Sequence, residues 1–228
     1  MKLPNSWQLP SEIKARFGQK RYGRQRAMAA DGHLLLVLHQ VPQPGKQDRE
    51  TVFFWRRPTG HWEYSGQGSG LRRLIEHIEE YSSAERELAE EYAQARNAQD
   101  YFRILERVGP LHHAAANLHV TLQAAREAIP EDRDIIDMRD WAYDLERSLD
   151  LLQTDAKHAL DFHSVQVANR LNVLAAIFFP VTAIASIFGM NLVSGFEGSS
   201  ALVFWSILLI GTVLGFVTSW WALRGRSH

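Results

Sequence analysis

Two long apolar runs near the C-terminal end constrain this chain more than any other feature. The first is N-R-L-N-V-L-A-A-I-F-F-P-V-T-A-I-A-S-I-F-G-M-N, from Asn169 to Asn191, with Pro180 in its middle; the second spans Ala201 to Leu223. A hydrocarbon core about 30 Å thick needs roughly 20 apolar residues in helical form. Between Leu171 and Leu223 the only charged residue is Glu197, whereas Arg170 precedes the pair and Arg224 and Arg226 follow it. Positive charge outside the pair predicts a membrane hairpin with both flanks in the cytoplasm and the connecting loop on the other side. Trp205 near one end of the second run and Trp220 and Trp221 near the other fit aromatic belts at two interfaces. Met1 to Ala30 is basic and polar with no apolar core, so no N-terminal signal segment is expected.

The first run is the less greasy of the two. Thr182 and Ser186 lie four apart and share a helix face that continues backwards through Phe179 or Phe178, Ala175, Leu171 and Ala168. Two readings fit such a face. Small and hydroxyl side chains let helices approach closely in lipid. The same residues also suit a pore wall, with hydroxyls offered to hydrated ions and Leu171 as a dry constriction. At the end of the run, Gly189 can stop the helix, leaving carbonyls and the Asn191 carboxamide at its outer mouth.

Gly189-Met190-Asn191, placed directly after the first of two C-terminal spans and preceded by F-F-P-V-T-A-I-A-S-I-F, resembles the CorA family of divalent-cation channels. The likeness is tight over about the last quarter of the chain and architectural over the helix before it. It implies a homopentamer in the bilayer, with the first span lining a central pore through Ala168, Leu171, Ala175, Phe179, Thr182 and Ser186. Gly189, Met190 and Asn191 would form the outer selectivity ring. Glu197 would raise the local cation concentration; an ordinary solvated loop charge is the alternative. The transported ion would be a hydrated divalent cation, Mg2+ first and Co2+ or Ni2+ after it, with no covalent cofactor. A branch of the resemblance is Zn2+ transport, as in the related ZntB proteins. Another class of reading is a CorA-like membrane scaffold for envelope signalling that conducts little, since the short N-terminal part is similar to a small group that includes CmaX.

The fold class expected is an α+β membrane protein. It has a small cytoplasmic α/β subdomain (residues 1–70), a helical stalk (71–167) and the membrane hairpin (168–228). Pro10, Ser11 and Glu12 start a short helix through Phe17. His33–Val41, Thr51–Arg57 and His61–Tyr64 read as strands, with Pro42, Pro44 and Gly45 in the first loop and Pro58-Thr59-Gly60 as a tight turn. Such a sheet needs a helix to bury one face. Gly66 to Gly70 reads as a flexible join. A helix from Leu71 should end at Gly109-Pro110, and a second should run from Leu111 to Ile129. No Gly or Pro then interrupts the chain from Glu131 to Pro180, so one helix on the order of 90 Å is expected up to Gly189. Met138, Ala142, Leu145, Leu149, Leu152, Ala156, His163 and Val167 form a coiled-coil-like seam along it.

The formal charge of −1 over 228 residues shows no bias towards nucleic acid. The basic stretch Lys20–Arg26 reads as a solvated face or as a partner of acidic neighbours, with contact to anionic headgroups or nucleic acid as the alternative. With zero cysteines there is no disulfide, thiolate metal site or cysteine nucleophile. No phosphate loop, nucleophile triad or zinc-protease motif is present, so the chain does not read as an enzyme. His112, His113 and His119 have no carboxylate motif in register for a metal. Asp137, Asp140 and Asp144 share one face of the long helix. They suit either a regulatory divalent-ion site between subunits, as the family resemblance implies, or an acidic stripe near a helix start.

Overall fold

The computed structural model describes residues 3–17, 24–43, 50–189 and 201–224. Residues 20–23 of the basic stretch, Pro44 and Gly45, Met190, Asn191, Glu197 and Arg226 lie outside them. The chain divides into two compact units, Met1–Leu160 and Asp161–His228.

The first unit begins with the short helix α1 (Ser11–Ala15). Among the described residues, four strands follow as an antiparallel sheet in the order β1 (Arg26–Ala30), β2 (His33–His39), β3 (Thr51–Arg56), β4 (Trp62–Tyr64). Strands β2 to β4 fall where alternation and turn residues predict them. Strand β1 does not appear in the sequence reading. Its signal is the dipeptide Asp31-Gly32, with φ of 51° and 74°. Both residues are left-handed, as a two-residue hairpin turn matched to strand twist requires.

The sheet buries both faces rather than one. Leu34, Leu36 and Leu38 pack with Val52, Phe54 and Trp62 into the core shared with the helices. Leu35 and Val37 point the other way, joining Met28, Phe53 and Trp55 against Trp7, Leu9 and Ile13. The physical reason lies in β2: five consecutive apolar residues, all fully buried, cannot be satisfied by one covered face.

Helix α2 (Gly70–Gln94) starts against the sheet. Gly70 is no flexible join. It is buried, and a Cβ built there would stand 2.3 Å from the Trp62 carbonyl carbon. The chain then reverses at Ala95–Asn97, and α3 (Ala98–Ala128) passes straight through Gly109-Pro110. The break expected at that dipeptide is thus corrected to the earlier turn, where a reciprocal cap forms. Asn97 Oδ1 accepts from the Asp100 N–H at 3.0 Å, and Asp100 Oδ2 accepts from the Arg96 N–H at 3.1 Å. Pro110 removes one helical hydrogen bond at a cost of about 3 kcal/mol. Val108 and Leu111, buried on either side of it, hold the helix in place.

Helix α4 runs Arg133–Gly189 without interruption, with Pro180 inside it. Asp132 caps its start, Oδ1 accepting from the Ile135 N–H at 3.1 Å. Within the first unit its seam of Met138, Ala142, Leu145, Leu149 and Leu152 packs into the same core as α2 and α3. Polar ties join the layers: Tyr81 Oη donates to the His39 carbonyl at 2.8 Å, Ser148 Oγ to Glu85 at 2.5 Å, and Arg56 Nε to Asp132 Oδ2 at 2.5 Å.

In the second unit, α4 from Asp161 onwards is joined by α5 (Ala201–Arg224). Much of both apolar runs has side chains outside the described set. Among the described residues no helix is long and apolar enough to cross a membrane.

Candidate functional site

The residues singled out for ion passage lie on α4 in the second unit. At about 100° of rotation per residue, Ala168, Leu171, Ala175, Phe179, Thr182 and Ser186 fall within one arc of about 80°. Ala168, Leu171, Phe179, Thr182 and Ser186 are exposed in the single chain, Leu171 at 61% and Phe179 at 72%, and Ala175 is half-buried. Phe178 stands on the flank of this arc, also exposed.

The opposite side of the helix is the covered one. Val173, Ala176, Ile177 and Pro180 are half-buried and centre about 150° round from the candidate arc. What meets α4 there is the backbone of α5. A Cβ built on Gly215 would stand 2.8 Å from the Ile177 carbonyl oxygen and 2.9 Å from its Cα. Gly215 and Gly211 are both buried, one helical turn apart. The arc of α5 pointing away from them carries Leu209, Val213, Phe216, Val217 and Trp220, all large, apolar and exposed. Thus the arc of α5 away from its glycines is mostly bulky and apolar among the described residues, whereas the exposed arc of α4 carries hydroxyl and small side chains among its apolar ones. Sequence reasoning passed over Gly215. The Gly211-x-x-x-Gly215 spacing is the signal that points to it.

Thr182 has a defined hydrogen bond. Its Oγ1 donates to the Phe178 carbonyl at 2.9 Å. With its proton used inside the helix, the hydroxyl presents lone pairs outward. A hydrated divalent cation presents water protons, so an acceptor is the group it can use. Gly189 is the last residue of α4; Met190, Asn191 and Glu197 lie outside the described residues.

Asp137, Asp140 and Asp144 lie on α4 in the first unit, all three exposed, and Asp140 pairs with Arg139 at 2.8 Å. Among the described residues of one chain, no group of three or more His, Asp or Glu is arranged to hold a metal. Two histidines of α3 serve as ties between helices instead. His119 Nδ1 lies 2.6 Å from Glu146 Oε2 and its ring meets Tyr143 edge-on, while His112 Nδ1 lies 3.1 Å from Gln153 Oε1.

The family described as CorA-like Mg2+ transporter protein matches residues 65–224. No curated protein matches the chain. Among solved structures, the complete CorA magnesium transporter from Methanocaldococcus jannaschii is similar at a TM-score of 0.51 and 14% identity, covering 96% of this chain and 84% of that one. The full-length CmaX protein is similar at the same score and identity, covering 96% of this chain and 82% of that one. At this identity the likeness is one of fold.

Proposed function

This chain belongs to the CorA-like Mg2+ transporter family, and we propose that it is a homopentameric channel passing hydrated divalent cations, Mg2+ first, across a bacterial-type inner membrane. Both termini are cytoplasmic, α4 and α5 supply two spans, and the candidate arc of α4 lines the pore. The single observation that carries this reading is the side of α4 that α5 occupies. Gly215 docks at Ile177, and the arc with Thr182 and Ser186 looks away from it. Five copies arranged with α5 outermost bring those arcs together around an axis. The uncovered leucine, valine, phenylalanine and tryptophan side chains of α5 then face lipid.

In this arrangement Gly189, Met190 and Asn191 form the outer ring. Magnesium gives up its water reluctantly. Five Asn191 carboxamide oxygens accept hydrogen bonds from that water without stripping it, and Thr182 and Ser186 offer further acceptors along the way. Neutral oxygens hold the ion weakly enough for it to leave. Leu171 and Phe179 narrow the path on the cytoplasmic side of these rings. Glu197 concentrates cations at the mouth. Asp137, Asp140 and Asp144 meet their counterparts on a neighbouring subunit as a regulatory divalent site. Entry is driven by the membrane potential, about 4.6 kcal/mol per 100 mV for a double charge, so the chain needs no fuel site.

The test is uptake of Mg2+, Zn2+, Co2+ and Ni2+ into proteoliposomes holding the purified protein, with its oligomeric mass measured in parallel. Flux of Mg2+ that disappears in Asn191→Ala while the pentamer persists is the expected result. Flux of Zn2+ alone would transfer the assignment to zinc. No flux of any ion by an intact pentamer would overturn the channel and favour a non-conducting signalling scaffold.

A further inference from the structure

We infer that Gly215 is a positioning residue for ion passage: its backbone contact with Ile177 sets the rotation of α4 and so decides which arc faces the conduction path. The inference rests on the channel reading above and names the contact that orients its pore-lining helix. Gly215 is buried, and a side chain at this position has nowhere to go. Its Cβ would meet the carbonyl oxygen of Ile177 at 2.8 Å, the Cα at 2.9 Å and the carbonyl carbon at 3.3 Å. All three are backbone atoms of α4, so a neighbouring rotamer change cannot relieve the clash; the helices must separate or turn. Close backbone approach through small residues is how helices lock register where lipid supplies no hydrophobic drive.

The position of the contact along α4 makes it directional. Ile177 lies three residues before Pro180, which has no N–H to give the carbonyl four residues back and so marks the weakest point of the helix against bending. Thr182 and Ser186 lie just beyond that point. A clamp at Ile177 therefore holds the helix on the near side of the proline, and the orientation of the hydroxyls beyond it follows from where the clamp sits.

The chain has no cysteine, so single introduced thiols report without background. Thr182→Cys and Ile177→Cys are made separately in the full-length protein, reconstituted in vesicles, and labelled with a small charged thiol reagent. In the otherwise unchanged protein, Thr182→Cys should label about tenfold faster than Ile177→Cys, because water reaches one side of α4 and α5 covers the other. Adding Gly215→Leu should bring the two rates together, and Gly215→Ala should move them in the same direction by less. Val213→Leu, on the exposed arc of α5, should leave the ratio alone. Ile177→Ala should fail to restore Thr182→Cys labelling in Gly215→Ala, since the contact is to backbone. Equal labelling in the otherwise unchanged protein would overturn the channel reading and this inference together. An unchanged ratio in Gly215→Ala and Gly215→Leu, or rescue of Thr182→Cys labelling by Ile177→Ala, would overturn the role of Gly215 alone.

Discussion

Asp132 carries two jobs at the start of α4, and removing it separates them. Its Oδ1 caps the helix at the Ile135 N–H, 3.1 Å away, while Oδ2 accepts from Arg56 Nε of β3 at 2.5 Å. The pair is nearly dry, with 12% of the arginine side chain and 9% of the aspartate exposed. Asp132→Ala loses a cap worth about 1 kcal/mol. It also leaves a guanidinium buried without its counter-charge, a loss of about 3 kcal/mol. The sum is about 4 kcal/mol, or roughly a thousandfold in the unfolding constant. Asp132→Asn keeps a single acceptor oxygen, enough to hold the cap at Ile135, while its amide nitrogen cannot accept from Arg56, so about 3 kcal/mol is expected. Denaturation of the purified protein in detergent, followed by tryptophan fluorescence, reads both, since Trp55 and Trp62 sit in the sheet beside this pair. The slope with denaturant should be unchanged between variants. If Asp132→Ala and Asp132→Asn destabilise equally, the separation into cap and charge is wrong. If neither costs more than about 0.5 kcal/mol, as ordinary surface substitutions do, the tie between sheet and α4 is not a stabilising one.

Three further outcomes follow from the same structure. Gly70→Ala should destabilise the first unit by about 2 kcal/mol through overpacking, because the new methyl meets the Trp62–Glu63 backbone; thermal unfolding with and without the change checks it. His77 is buried against Phe54 and Tyr81, and burial pushes its imidazole down to about 4, while a hydrogen bond to the His39 backbone works the other way. Between about pH 6.5 and 4 the unfolded chain therefore binds a proton that the folded chain does not. Stability should be full above pH 6.5 and fall by about 1.4 kcal/mol per pH unit on the way down. His77→Phe should flatten that slope, and a slope unchanged by the substitution would locate the acid sensitivity elsewhere. Asn97→Ala should cost about 1 kcal/mol and speed hydrogen exchange at the Asp100 amide, with no change at amides in the middle of α3.

Much of the local structure was legible because its signals are contiguous. Strands β2 and β3 are apolar runs bounded by Pro, Gly or polar residues, and α4 has no Gly or Pro between Asp132 and Pro180. The misplacements have physical causes. At Gly109-Pro110 the local penalty is real, but burial of Val108 and Leu111 outweighs it, and the turn goes to the Asn97–Asp100 cap instead. Strand β1 is hidden because Arg26–Ala30 has few of the branched or aromatic residues that mark strands; only Asp31-Gly32 betrays it. Of the candidate site, the sharing of a helix face by Thr182, Ser186 and Leu171 follows from spacing alone.

By itself the sequence determined which residues can share a face, where two uncharged apolar runs lie, and that Gly189-Met190-Asn191 closes the first of them. Those are properties of neighbouring residues and of helical or strand period. Only the tertiary structure decided which face meets what. It put a cover on both sides of the sheet, gave Asp132 a partner in Arg56, and set Gly215 of α5 against Ile177 so that the hydroxyl arc of α4 is the one left open. Burial is a relation between residues far apart in the chain, and its free energy depends on the shape and size of the partner that arrives. No local pattern carries that information, which is why spacing alone does not say which arc of α4 meets α5.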